Sequence, residues 1–277
     1  MSENCLWPRP KLTLFFFLFS LFSCGGYASD KLVIDGSTGV KPLVQSLVNG
    51  YKQTQPDIDM EVGSGLNPKS RIQALIDKKI DIAMASHGID IEHITQLGLE
   101  VHRVAKIAVV IGVNSAVDID NISDRQLCDI YGGKIDNWHN LNGPQLPIVP
   151  LLRPFSEVDT EVVSEHIACF SQVQFPSDIL TFEKSGQMAR AIRQTPGAIG
   201  MTTLVRVAQS DGKMRALAIN NISPQPANLL SGAYPFTRDS FLITSSAPSA
   251  EVAAFLAFVR SEQGAAIITA NNAVPAE

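Results

Sequence analysis

Four short segments of this chain carry the residue types from which an anion-holding pocket can be built: Gly36-Ser37-Thr38-Gly39, Gly63-Ser64-Gly65, Ala85-Ser86-His87 and the run from Arg153 to Thr160. Three of them run directly into stretches with helical hydrophobic spacing. Unpaired backbone N–H groups and the partial positive charge of a helix start would therefore face an anion placed between them. The hydroxyls of Ser37, Thr38, Ser64 and Ser156 add donors, and Arg153 adds a planar, doubly donating fork with a fixed positive charge. Taken singly, each of these segments reads more readily as an ordinary capped helix start, because Ser and Gly favour that position. Their convergence is what points to an oxyanion. Gly39, Ser86, His87, Asp159 and Thr160 complete the candidate ligand-binding set.

The convergence requires elements that bring the segments together. Lys31 to Asp35 reads as a buried strand, and Val40, Leu43, Val44, Leu47, Val48 and Tyr51 then fall on one helical face. Ile58, Met60 and Val62 alternate as a second strand, Ile72, Leu75 and Ile76 mark a second helix, and Ile80 to Ala85 is a third strand. Strands alternating with helices predict a parallel sheet covered on both faces, with ligands beyond the carboxyl ends of the strands. Val101 to Val113 is almost continuously apolar, as a strand that leaves one lobe and enters another would be. Ser123 and Gln126 form a capping box for a helix through Tyr131, ended by Gly132-Gly133. Pro147 to Leu152 is a strand that delivers Arg153 to its carboxyl end. Val162, Val163, Ile167 and Phe170 then have helical spacing. Ala198 to Thr202 and Met214 to Ile219 read as further strands. Phe241 to Thr244, with a helix from Glu251 to Glu262, returns to the first lobe. Two crossings make a hinge.

The chain begins with Arg9 and Lys11 ahead of an apolar run, Leu12 to Phe22, too short to span a bilayer as a mature helix. This predicts a signal peptide over 1–28, cut after Ala28 and implying a periplasmic protein, with lipidation at Cys24 as the competing reading. About 250 residues then remain, enough for two lobes, each with its own core. The expected division is 29–108 with 235–277 as lobe 1, and 109–234 as lobe 2. A net charge of −5 with no basic stripe argues against nucleic acid. The mature chain has no membrane span, and a monomer is expected. Cys128 and Cys169 lie on amphipathic stretches, and spacing leaves open whether they pair or stay buried thiols. The chain has no Gly-x-Ser-x-Gly elbow, no Walker loop and no His-Glu-x-x-His helix, and its five histidines are scattered. No catalytic residue, metal site or cofactor is expected, and the chain is read as a binding protein and not an enzyme.

Several phrases occur in order: Asp35-Gly-Ser-Thr-Gly39, Lys79-Ile-Asp-Ile-Ala-Met-Ala-Ser86, Leu127-Cys-Asp-Ile-Tyr-Gly-Gly-Lys-Ile-Asp-Asn-Trp138, Pro196-Gly-Ala-Ile-Gly200 and Tyr234-Pro-Phe-Thr-Arg238. Together they resemble the phosphate-binding periplasmic proteins of ABC-type transporters, across essentially the whole mature chain. The resemblance implies an α/β, two-lobed periplasmic binding protein type II fold with a two-crossing hinge. It also implies capture of phosphate or a related oxyanion in the cleft between lobes, for a transporter permease. Signalling to a membrane sensor partner is the alternative. The family's ligand positions map onto Ser37, Thr38, Ser64, the Ser86-His87 pair, Arg153 and Ser156.

Two departures bear on the ligand. His87 stands where the family commonly has Asp or Arg, and Glu157, Val158, Asp159 and Thr160 stand where small Ser-Gly-Thr residues follow the Arg. A carboxylate about 4 Å from an anion costs on the order of 4 kcal/mol at an effective dielectric near 20. Three arrangements resolve the conflict. Glu157 and Asp159 point away from the cleft, with Ser156 capping the helix. Alternatively, Asp159 accepts a hydrogen bond from a protonated ligand oxygen, with His87 complementing the charge. In the third, the ligand carries a cationic portion, as a zwitterionic phosphonate does.

Overall fold

The computed structural model describes Met1, residues 31–86 and residues 88–276. The predicted signal peptide with Cys24 and Ala28, and His87, lie outside the described residues. From Lys31 onward the chain is one compact unit. In chain order it contains β1 (Leu32–Gly36), α1 (Lys41–Thr54), β2 (Met60–Val62), α2 (Pro68–Ile76), β3 (Ile82–Ser86), α3 (Ile91–Gln96) and β4 (Leu99–Asn114). Next come β5 (Asn121–Ile122), α4 (Asp124–Tyr131), β6 (Val149–Leu152), α5 (Val158–His166), β7 (Leu180–Thr181) and α6 (Ser185–Gln194). Then follow β8 (Ala198–Thr203), α7 (Leu204–Ala208), β9 (Met214–Ala216), β10 (Ala218–Ile219) and α8 (Pro226–Leu230). The last elements are β11 (Thr237–Ser245), α9 (Ala250–Val259), α10 (Glu262–Ala270) and β12 (Val274–Pro275).

β1 pairs in parallel with β2 and with β3, as the alternating pattern predicts, and α1 and α2 are the crossovers. The predicted apolar face of α1 is buried as expected, from Leu43 to Tyr51. The whole sheet is mixed, not parallel. β11 enters antiparallel between β3 and β4, and β4 is antiparallel to β8. The returning segment reaches the sheet as β11 after the short helix α8 and runs opposite to both neighbours.

β4 is the organising strand. Its residues through Ala108 pair with β11, and from Val109 they pair with β8. One hydrophobic core gathers β1, β3, α1 and α9 around its first part, and a second gathers α4, Trp138 and Phe170 around its later part. Among the described residues no single helix is long and apolar enough to cross a membrane.

Several boundaries differ from expectation for local reasons. The capping box of α4 is formed by Ser123 and Gln126 as predicted, and Gly132 is its C-cap. The terminal helix divides into α9 and α10, because the Ser261 side chain accepts from the Gly264 amide and starts a new helix. The strand expected from Met214 to Ile219 breaks where the Leu217 amide turns to the Ile111 carbonyl, 2.9 Å away. α5 ends at His166, and Phe170 is buried from a separate single turn of 3-10 helix. The N-cap of α5 is Glu157, without a side-chain cap, so Ser156 does not take the capping role expected of it. Cys128 and Cys169 are joined in a disulfide, with Cα atoms 6.2 Å apart.

Candidate functional site

The first two loops are knitted together by one carboxylate. Asp35 Oδ1 accepts the Gly36 amide at 2.7 Å and the Gly65 amide at 2.8 Å. Gly36 sits at φ 136°, and a side-chain carbon there would stand 2.3 Å from the Met84 carbonyl oxygen, so the position admits only glycine. The Ser37 amide donates to that same carbonyl at 2.9 Å. Some of the backbone donors expected to face a ligand are thus already used within the protein. The Thr38 and Gly39 amides have no acceptor among the described residues.

These loops form one wall of a cleft of about 950 Å³. Ser37, Thr38, Gly39, Ser86, Arg153 and Ser156 all line it, together with Arg238 from the start of β11. Arg153 follows β6 and is buried, with its guanidinium paired to Glu157 and its Nε 3.6 Å from Asp159 Oδ2. Arg238 is buried as well, with Nη1 2.9 Å from Asp159 Oδ1. It lies so close to the first loop that a side-chain carbon on Gly39 would meet its Nη2 at 2.3 Å. Asp159 therefore sits between two guanidinium groups as an internal counter-ion, in charge contact with both, although neither oxygen has hydrogen-bond geometry.

A third guanidinium braces this arrangement. Arg206 Nη2 donates to the Thr38 carbonyl at 2.7 Å, and its Nε donates to Ser185 Oγ at 2.9 Å. Burial is the main influence pulling this guanidinium down to about 10; Arg238, Arg153 and Arg193 add to that pull and Asp159 opposes it. It stays charged at neutral pH and holds the first loop through the Thr38 carbonyl.

Among the described residues several buried donors at the cleft have no hydrogen-bond partner: Ser86 Oγ, Arg153 Nε and Nη1, and Arg238 Nε and Nη2. Each buried polar group left unsatisfied costs about 1–3 kcal/mol, and more when charged. A set of such donors on one wall is suited to an anion, which can accept from all of them.

The structure sorts the sequence-based candidates. Ser37, Thr38, Gly39, Ser86, Arg153 and Ser156 are brought to one cleft. Ser64 is exposed and is not part of that wall, where Gly65 stands instead. Asp159 and Thr160 are buried behind the cleft, not in it. Thr160 Oγ1 donates to the Arg153 carbonyl at 3.1 Å and so fixes the arginine's backbone. Asp159 is shut off from the cleft, which removes it as an acceptor for a ligand proton in this form. Arg238 and Arg206 were missed as site residues. Arg238 stands near the start of β11, next to Asp239, and its burial follows from a strand order the sequence does not display. Among the described residues no cluster of His, Cys, Asp or Glu is arranged to hold a metal.

Known proteins fit this geometry. The sequence profile described as the PBP superfamily domain matches residues 25–263. The phosphate-binding protein PstS of Bacillus subtilis is 28% identical over 240 residues, covering 85% of this chain and 77% of its own length. PstS of Borreliella burgdorferi is 25% identical, covering 93% of this chain and 96% of its own. A Clostridium perfringens chain crystallised with bound phosphate, described as a phosphate ABC transporter substrate-binding protein, superposes with a TM-score of 0.72 at 22% identity. That superposition covers 90% of this chain and 100% of the other. At such identity it speaks for the fold.

Proposed function

This chain belongs to the PBP superfamily, and from that premise we propose that it is a solute-binding protein that captures phosphate or a closely related oxyanion and delivers it to an ABC-type permease. The observation that carries this reading is the set of unpartnered buried donors on Ser86, Arg153 and Arg238 at one cleft. An oxyanion has the acceptors and the charge to satisfy them together. The reading includes no chemistry on the ligand. It also takes the protein to be exported to the periplasm and to act as a monomer.

Two halves would work against each other, one of residues 29–108 with 235–277 and the other of residues 109–234. The change of β4's partner between Ala108 and Val109 supports that division. Ligand bound between halves favours the closed arrangement in proportion to its preference for it.

Calorimetry of the purified protein with inorganic phosphate and with sulfate tests the proposal. Saturable binding is expected, weakened about tenfold in Ser86→Ala, since a hydrogen bond to a charged group contributes about 1.5–3 kcal/mol. Absence of saturable binding to either anion would refute it.

A further inference from the structure

Arg71, one turn inside α2, has no place in the site described above. It is 7% exposed and lines the same cleft. Its Nε has no hydrogen-bond partner. No salt bridge to it exists among the described residues, and burial alone, without a charged neighbour, pulls its guanidinium below the ordinary value. The contrast with the inner pair matters. Arg153 and Arg238 are already faced by Asp159 and Glu157, whereas no carboxylate of the described residues pairs with Arg71. A buried cation without a partner costs several kcal/mol, because desolvation is not repaid by attraction.

The surroundings narrow what would supply the missing charge. Leu66, Ile72, Ile76, Ile94 and Leu97 line the cleft along with Arg71. Ile76 and Leu97 remain 44% and 41% exposed. The lining is mixed, since Lys69, Asp90, His93, Glu161, Glu183 and Lys184 belong to it as well, and the apolar patch beside Arg71 gives room for an anionic group carried on hydrocarbon. Before any closure the cleft, at about 950 Å³, has room for an organic ligand.

We propose that Arg71 is a second anion-holding group, and that the ligand is an organic phosphate or phosphonate bearing a separate second anionic group. The tetrahedral head sits at Ser86, Arg153 and Arg238, the hydrocarbon lies against the Ile72 and Leu97 wall, and the second anion pairs with Arg71. This rests on the oxyanion reading above and deepens it.

Calorimetry with the mature protein tests it, using phosphonoacetate, phosphonopropionate and phosphonobutyrate, each against the alkylphosphonate of equal chain length. A parallel arm uses methylenediphosphonate, to distinguish a carboxylate from a phosphonate as the second group. At least one doubly anionic ligand is expected to bind at least tenfold tighter than its singly anionic partner, a ratio worth about 1.4 kcal/mol. Arg71→Gln should bring the ratio close to one. Because Arg71 is an uncompensated buried charge, Arg71→Met without ligand should melt at or above the wild-type temperature. A structural arginine would instead leave a variant that melts lower with ligand preference unchanged, and that result overturns the proposal. A wild-type ratio near one overturns it regardless of how the variants fold. If inorganic phosphate still binds in that case, only this inference fails; if phosphate also fails to bind, the oxyanion reading falls with it.

Discussion

Asp159→Asn is expected to destabilise the ligand-free protein by about 3–5 kcal/mol, the range seen when one member of a buried ion pair is removed. Asp159 is 1% exposed and lies against two buried guanidinium groups. An asparagine of the same shape keeps the packing and removes the charge, leaving Arg238 without any carboxylate and Arg153 with Glu157 alone. For a chain of this size each kcal/mol corresponds to about 2–4 °C, so the melting temperature should fall by roughly 10 °C. The same variant should gain more from added phosphate or sulfate than the wild type does, because a bound anion restores the missing charge beside the two arginines. Thermal unfolding with and without anion measures both quantities. An unchanged melting temperature would mean that the two arginines do not depend on this carboxylate. A lost response to anion would mean that Asp159 itself contacts the ligand.

The pattern of residues made the anion-binding wall legible but not the charge balance behind it. Strand, Gly/Ser loop and helix recur at β1 and β2, and local spacing located three of the contributing loops. Arg153 stood out because a cation at a strand end needs a partner. What spacing does not show is which faces meet across the sheet. Asp159 and Arg238 are 79 residues apart in the chain and come together because β11 inserts near α5. The reading of Asp159 therefore divided into alternatives that only tertiary packing separates. Ser64 illustrates the opposite error: its loop is correctly placed, yet the Asp35 carboxylate takes the Gly65 amide, and the serine is left exposed.

Charge compensation also explains how a loop with two acidic residues can serve an oxyanion. Glu157 lines the cleft, contrary to the expectation that it points away, and Asp159 lies behind it; the charge of each is offset by an arginine. Their effect is to lower the net positive charge of the wall while holding the guanidinium planes in place. The attraction left for the ligand then comes chiefly from donors with fixed directions, such as Ser86 Oγ and the free Arg153 and Arg238 N–H groups. Directed donors select on shape and protonation more than a bare excess of charge does.

Removal of the Cys128–Cys169 disulfide should have an effect of comparable size on stability and none on the ligand. The bond spans 41 residues, and closing a loop of that length removes about 4 kcal/mol of unfolded-state entropy in the chain-entropy account. It fastens α4 to the segment after α5, within the core built on the later part of β4. Neither cysteine lines the anion cleft. The double substitution Cys128→Ser with Cys169→Ser, or reduction of the wild type, is thus expected to lower the melting temperature by roughly 10 °C. Phosphate affinity measured well below that temperature should stay within twofold. Equal melting curves with and without reductant would show that the bridge adds nothing to the folded state's advantage. A parallel loss of affinity would show instead that the wall carrying Arg153 depends on the bridge for its position, through α5 or through the Tyr131 hydroxyl of α4, which donates to the Leu151 carbonyl at 2.9 Å.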